Sequence, residues 1–443
     1  MFSAWLDRFF QISARGSTIR RELVAGLTIF SAMAYIMAVN PSILSAAGLA
    51  RHDMVMTTIA GAVAGTLIMA LWAKLPIALA PTMSSNVLFS QVIIVQGHFS
   101  PAIAFTTVFC SGLCFTALSL TRIRQKIING FPPVIIIGIQ AAIGAFAARL
   151  GLTSAGIAIP SPQGLTFGSF SDPSVLLALA GVVICGASLI CKIPAGFLLT
   201  IILITIIGLF VPDGQGHYIT RLPDHFLDWP HYPAHLLFPF DFGGFFSHIG
   251  LLLPVTLYLL LSDFFDATST LMSVVQRSNA HNTSTPLKLN ARAFIADGFA
   301  SVTGSALGTS TVSAYVENMT GAEIGARTGL TAFVVALLFA CSCFLWPLIT
   351  AIPSLATAPV LIMVGLSMAS VLNQLPATFD DMITPLFMFL IAAVTGNFML
   401  SLACGMLFYS ALALLSRRFS RLTPLMAGLD IVFILYLILQ SHF

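Results

Sequence analysis

Residues 75–90 read LPIALAPTMSSNVLFS. The neighbouring segments are apolar enough to lie in a membrane, yet this one is a poor helix. Pro76 and Pro81 lack the backbone donor that a helix interior needs, and Thr82, Ser84, Ser85 and Asn86 follow at once. A second stretch, GSALGTSTVSAYVENMTG (304–321), breaks the same rule with Gly304, Gly308, Glu317 and Asn318 among its threonines and serines. Unpaired backbone cannot face lipid, so both stretches must be buried in protein or line a cavity. Paired interrupted segments in corresponding positions of two halves point to a transport site between inverted repeats. The expectation is two short extended segments meeting near mid-membrane, each followed by a half-helix. The half-helix N-termini would offer free N–H groups and positive dipole ends to a ligand.

The composition requires a membrane. The chain has 443 residues, of which 58% are hydrophobic and 8% charged, with a mean hydropathy of +0.97. A soluble protein of this length needs far more charge on its surface. The net charge of +3 gives no reason to expect a nucleic-acid partner. Residues 1–22 are mixed and basic, and read as a cytoplasmic segment rather than a cleavable signal peptide. Apolar runs follow near 23–39, 54–72, 77–95, 101–120, 132–150, 174–191 and 194–211. They resume near 249–272, 290–307, 309–320, 329–348 and 356–372, and three or four more fill 382–440.

The fold expected is therefore an all-α polytopic membrane protein of about fourteen spans in two inverted seven-span repeats. The first repeat covers 23–211, an external loop 212–247, and the second repeat 248–440. PPVIIIGIQAAIG (132–144) beside APVLIMVGLSMAS (358–370) supports the repeat weakly, matching spans 5 and 12. The distribution of Lys and Arg places the N-terminus inside. Arg8, Arg15, Arg20, Arg21, Lys74, Arg122, Arg124, Lys126, Lys192, Arg277, Lys288, Arg292 and Arg327 fall inside, against Arg51, Arg149 and Arg221 outside.

Two other groupings read as structural. The seven cysteines lie in or beside apolar segments and are expected to be small core hydrophobes. The loop 212–247 carries His217, His225, His231 and His235 with Asp213, Asp224 and Asp228. Histidines and acids together suggest a metal site, but the spacing matches no helical ligand pattern and the segment has no cysteine. It reads as an aromatic, proline-rich connector, and no metal is expected.

Acids inside the membrane are costly and mark function. Asp263 and Asp266, in YLLLSDFFDATST (258–270), lie on one helix face at three-residue spacing, with no Lys or Arg in their span. Two interacting acids titrate as a pair, as a proton-coupling site requires. Glu317 sits in the second broken span. Asp297 reads equally as a site residue or as a structural tie to Arg292 or the half-helix ends, and Asp430 as structural or interfacial.

Four ordered motifs now resemble one family. VAGLTIFSAMAYIMAVNPSILSAAGL (24–49), ALAPTMSSNVLFS (78–90), SDFFDATSTL (262–271) and GTSTVSAYVENMTGAEIGARTGLTA (308–332) are similar to the nucleobase–cation symporter-2 family, in its azaguanine-like branch of adenine and guanine–hypoxanthine permeases. The resemblance runs from about residue 15 to the C-terminus. It implies short antiparallel strands in spans 3 and 10, a core domain of spans 1–4 and 8–11, and a gate domain of spans 5–7 and 12–14. It also implies proton-driven purine uptake across the bacterial inner membrane. Carried onto this chain, the substrate-binding residues are Asn86, Asp263 and Glu317, with Ser84, Ser85 and Thr311 beside them. Asp266, with Glu317, takes the coupling proton; Phe264, Phe265, Phe89 and Tyr315 are candidates for ring stacking, each also a natural core residue.

The chain departs from the branch pattern A-P-G-M-G-x-N, reading Ala80-Pro81-Thr82-Met83-Ser84-Ser85-Asn86, and has Ser269 and Ala326 where glycines are usual. Thr82 and Ser84 should narrow the pocket or add hydroxyl donors, so the substrate is a purine or an altered base such as xanthine or uracil. The rival is an anion carrier of related architecture for sulfate or a carboxylate, against which the clustered acids argue. An enzyme is not expected: there is no H-E-x-x-H, no G-x-S-x-G and no histidine near the intramembrane acids. The partners expected are a small-molecule nucleobase and the bilayer, with a homodimer left open, and no cofactor beyond the coupling ion.

Overall fold

The structure is a computed structural model and describes residues 2–121, 132–161, 164–191, 193, 195–212, 217–280, 286–375, 379–418 and 422–440. Arg122, Arg124, Lys126, Lys192, Asp213 and Arg421 lie outside the described residues. The described residues are mostly helical. Among the described residues, nine helices are long and apolar enough to cross a membrane, and four shorter apolar helices include Met83–Gln96 and Gly196–Gly208. Three helices, Phe379–Thr395, Phe398–Leu415 and Pro424–Gln440, account for the tail that the sequence left at three or four segments.

Four short strands interrupt the helices: β1 (Leu79–Pro81), β2 (Ala158–Ser161), β3 (Gly164–Phe167) and β4 (Val312–Ala314). β2 and β3 form a hairpin between spans 5 and 6. β1 and β4 pair antiparallel in the interior, with Leu79 opposite Ala314, Ala80 opposite Ser313 and Pro81 opposite Val312. All six residues are buried. This is the meeting of the two broken spans that the sequence predicts, and it pairs backbone groups that lipid could not satisfy.

The two halves pack as a pair of matched sets. Span 2 (Arg51–Ala73) packs on β1 and on span 11 (Gly329–Ala351); span 9 (Ala291–Ala306) packs on β4 and on span 4 (Pro101–Ser119). Span 1 (Ile19–Ser45) packs on span 11, and span 8 (Ile249–Ala280) on span 4. These contacts thus come in matched pairs related by the inverted repeat. Separately, span 5 (Pro133–Ser154) packs on Ser354–Asn373 and Phe379–Thr395. The segments 132–144 and 358–370, matched in sequence, belong to that contact. They cross at Gly144 and Gly365, where a Cβ on either would fall 2.4–2.5 Å from the other's carbonyl oxygen. Only two glycines allow backbones so close.

The cysteine expectation needs correction. Cys185 is buried, but Cys114, Cys191 and Cys341 are exposed on the outside of the bundle. In a membrane the outer face of a helix is as apolar as its core, so an apolar residue in a span carries no information about which way it points. The loop histidines also disperse: His235 approaches Asp53 at 3.5 Å, and His231 faces the Trp229 carbonyl at 2.8 Å. Among the described residues, no group of three or more His, Cys, Asp or Glu side chains is arranged to hold a metal ion.

Candidate functional site

The strand pair is held by side chains from the flanking helices. Thr66, in span 2, accepts from the Leu79 N–H at 2.9 Å and donates to the Leu79 carbonyl at 2.8 Å. On the other side, Ser301 donates to the Val312 carbonyl at 2.9 Å. Asp297 accepts from the Ala314 N–H at 2.9 Å and the Ser313 hydroxyl at 2.8 Å. Asn318 then ties the two broken spans together. Its Oδ1 accepts from the Ala78 N–H at 2.7 Å, while its Nδ2 donates to the Ala78 and Tyr315 carbonyls. Short strands with two-sided braces replace the helix hydrogen bonds that Pro and Gly deny. Asp297 is therefore tied to β4 rather than to Arg292, one of the two roles its sequence position allowed.

The predicted ligands gather around this crossing. Ser85, in the first turn after β1, donates to Asp263 Oδ1 at 3.1 Å. Asn86 beside it accepts from the Ser310 hydroxyl through its Oδ1. Glu317, following β4, accepts from the Tyr35 hydroxyl at 2.7 Å. Span 1 is interrupted at Ala34–Tyr35, which brings that hydroxyl into the site. Each acid and the amide keeps one buried atom without a partner: Asp263 Oδ2, Glu317 Oε2 and Asn86 Nδ2. The Thr311 hydroxyl is also buried and lies beside the Asp263 carboxyl without forming a well-aligned bond. Such atoms are uncommon in a folded protein because they forgo hydrogen bonding with water, and they point to a ligand or an ordered water. The helix that starts at Met83 has no side-chain cap from Thr82, leaving its first N–H groups without one.

The remaining candidates differ in what engages them. Asp266 accepts from Gln140 of span 5 at 3.4 Å. Phe264 packs edge-on to Phe115, with ring centroids 6.0 Å apart, in a small cluster with Leu260 and Ala267. Phe89 is buried against Phe105 at 4.7 Å. These two rings, and Phe265 with them, are engaged by neighbouring aromatics rather than standing free beside the crossing. Tyr315 donates its hydroxyl to the Pro81 carbonyl and so also braces the crossing. Ser84 is buried. Thr82 brings no free donor, because its hydroxyl reaches the Thr311 carbonyl at 3.5 Å. Ser269 is exposed and bonds back to the Asp266 carbonyl, so the absence of glycine there leaves the crossing unaltered.

Sequence reasoning missed Tyr35, Gln140, Thr66 and Asn318. It also missed Glu22, a fully buried acid in the first turn of span 1 that faces the start of span 11. Glu22 accepts from the Arg327 and Thr328 N–H groups at 3.0 and 3.1 Å and from the Thr328 and Thr331 hydroxyls. The only signal was its position as the last charge before span 1.

Comparison with known proteins agrees with this architecture. Residues 20–378 match the model of the family described as "Permease family". The chain belongs to that family. Its members are transporters, not enzymes, and the nucleobase–cation symporter-2 resemblance of the four motifs is the same assignment. Several relatives cover nearly the whole chain. The guanine/hypoxanthine permease PbuO of Bacillus subtilis is 34% identical over 97% of this chain and 99% of its own length. The adenine permease AdeP of Escherichia coli is 32% identical over 99% and 97%. Among solved structures, the transmembrane domain of the cyanobacterial bicarbonate transporter BicA superposes with a TM-score of 0.64 at 19% identity, covering 87% of this chain and 97% of that one. The murine anion transporter Slc26a9, in its inward-facing state, gives 0.64 at 13% identity over 94% and 72%. At such identities the likeness is one of fold.

Proposed function

We propose that this chain is a proton-coupled carrier of purine nucleobases, with adenine, guanine and hypoxanthine as its first candidates. One observation carries the reading. Asp263, Glu317 and Asn86 come from three elements that meet at the strand crossing, and each retains a buried atom with no partner. A purine offers ring N–H donors to the carboxylate oxygens and ring nitrogens to the amide. The relatives named for guanine, hypoxanthine and adenine support the same class. In this reading Ser84, Ser85 and Thr311 line the binding site, and Ser84 is the residue through which a xanthine or uracil preference would enter.

Asp263 and Glu317 hold the base, and Asp266, with Glu317, takes the proton. Loading neutralises charge in the interior, and the set of spans 1–4 and 8–11 then moves as a core against a gate of spans 5–7 and 12–14. The N-terminus is cytoplasmic, and the membrane is the bacterial inner membrane.

The anion-carrier reading draws on the fold shared with bicarbonate and other anion transporters. Two acids with free oxygens at the crossing repel an anion, and at this identity the fold carries no substrate information. The test is uptake of labelled adenine, guanine and hypoxanthine by cells lacking their own carriers, with unlabelled purines, xanthine, uracil and sulfate as competitors. Saturable uptake that a proton ionophore abolishes is expected. An Asp266→Asn variant should bind and fail to accumulate. Competition by sulfate but not by any base would overturn the proposal, and lost binding with unchanged coupling in Asp266→Asn would overturn the role of that acid.

A further inference from the structure

Gln140 stands apart from the residues that bind or brace. It lies on span 5, which packs on Ser354–Asn373 and Phe379–Thr395 and touches the broken-span group only sparsely. Its Nε2 nevertheless donates to Asp266 Oδ1 at 3.4 Å, across the boundary between the two sets of spans. One turn further along, Gly144 is locked against Gly365 by backbone contact, so span 5 cannot follow Asp266 if span 8 moves. The hydrogen bond therefore has to break or re-form whenever the two sets slide past each other.

We propose that Gln140 is a positioning residue that senses whether Asp266 carries its proton. This rests on the functional reading above. An ionised Asp266 offers only acceptor oxygens, and the amide N–H donates to one of them as a charge-assisted bond. When Asp266 takes a proton from bulk water, one oxygen becomes an O–H donor and the other a neutral acceptor. The bond across the boundary is then weakened, and span 8 is released from span 5. The other titratable groups facing Asp266 are acids and a phenol: Asp263 and Tyr258 on its own helix, and Asp297 on span 9. Span 5 contributes the neutral amide. Among the described residues no Lys or Arg pairs with Asp266, so its charge is countered by hydrogen bonding alone.

The experiment uses the full-length protein in proteoliposomes with an imposed pH gradient. Binding of adenine, guanine or hypoxanthine is measured separately by calorimetry in detergent. Gln140→Leu keeps the side-chain volume and removes the donor. It should bind within about threefold of wild type, while gradient-driven accumulation falls by roughly 10- to 150-fold, the range for one hydrogen bond to a charged group. Its uptake should also lose most of its dependence on pH.

The second variant pairs Gln140→Asn with Asp266→Glu, which shortens the amide and lengthens the acid by one carbon each. It should recover the pH profile that Gln140→Asn alone loses. A wild-type pH profile in Gln140→Leu would overturn the inference, as would parallel loss of binding and accumulation with no recovery in the pair. A wild-type protein that neither binds nor accumulates a nucleobase would instead sink the functional reading and this inference together.

Discussion

Replacing Asp263 by Asn separates binding from folding. Asp263 Oδ1 accepts from the Ser85 hydroxyl, and Oδ2 has no partner in the protein. Asparagine keeps a carbonyl for Ser85 and puts an NH2 where the free oxygen stood. The Ser85 bond is kept, and the Thr311 hydroxyl beside the carboxyl can accept from the new NH2, so the unliganded fold should change by less than about 1 kcal/mol. The loss falls on the ligand. A base N–H that met a carboxylate now meets an amide donor, which removes one charge-assisted bond of about 1.5–3 kcal/mol. At 1.36 kcal/mol per tenfold, the Kd for the preferred purine should rise by roughly 10- to 150-fold. Calorimetry gives the Kd, and thermal unfolding in the same detergent without ligand gives the stability. A Kd within about threefold of wild type would remove Asp263 from the binding site. A large fall in the unliganded melting temperature would show instead that Asp263 is a structural brace.

Three further outcomes follow from the same geometry. Asp297→Ala strands the Ala314 N–H and the Ser313 hydroxyl in a fully buried position, so it should destabilise the unliganded protein by about 2–6 kcal/mol at 1–3 kcal/mol per group, read by thermal unfolding. Gly144→Val should abolish accumulation of folded protein, because its Cβ would sit 2.4 Å from the Gly365 carbonyl oxygen; Gly186→Ala, whose nearest neighbour is 3.6 Å away, should fold normally, and size-exclusion profiles of both decide this. Near the N-terminus, Asp7 accepts from the Ser13 N–H and hydroxyl at 2.7 and 2.8 Å, and these bonds hold its carboxyl below the ordinary value of 3.8. The tie is thus complete above that value and lost as pH falls through the lower, folded one, so hydrogen exchange at the Ser13 amide should accelerate only in strong acid and lose that pH dependence in Asp7→Asn.

Much of this protein is legible before folding. The broken spans 75–90 and 304–321 announce themselves, because Pro and Gly cannot continue a helix and lipid cannot satisfy the backbone they free. Their burial and meeting follow from that constraint, while their antiparallel pairing as β1 and β4 is what the family resemblance implies. The acids of 258–270 are visible for a similar reason: at 8% charge, any carboxylate inside an apolar run is conspicuous. Composition, spacing and motif order thus reached the fold and the family.

What the tertiary structure decided is which side chain meets which, and where a residue points. Tyr35 meets Glu317 across 282 residues, and Gln140 meets Asp266 across 126. Neither tyrosine nor glutamine stands out in an apolar helix, and no local pattern records a partner so distant. Phe89 and Phe264 could as well have faced a ligand, and the cysteines the core, because inside a membrane both faces of a helix may be apolar. The sequence by itself determined where the backbone must break and where charge is buried. Only the packing of the two halves determined that Asp297 braces a strand while Asp263 and Glu317 each keep an oxygen free, since a carboxylate's role depends on which donors the fold brings to it.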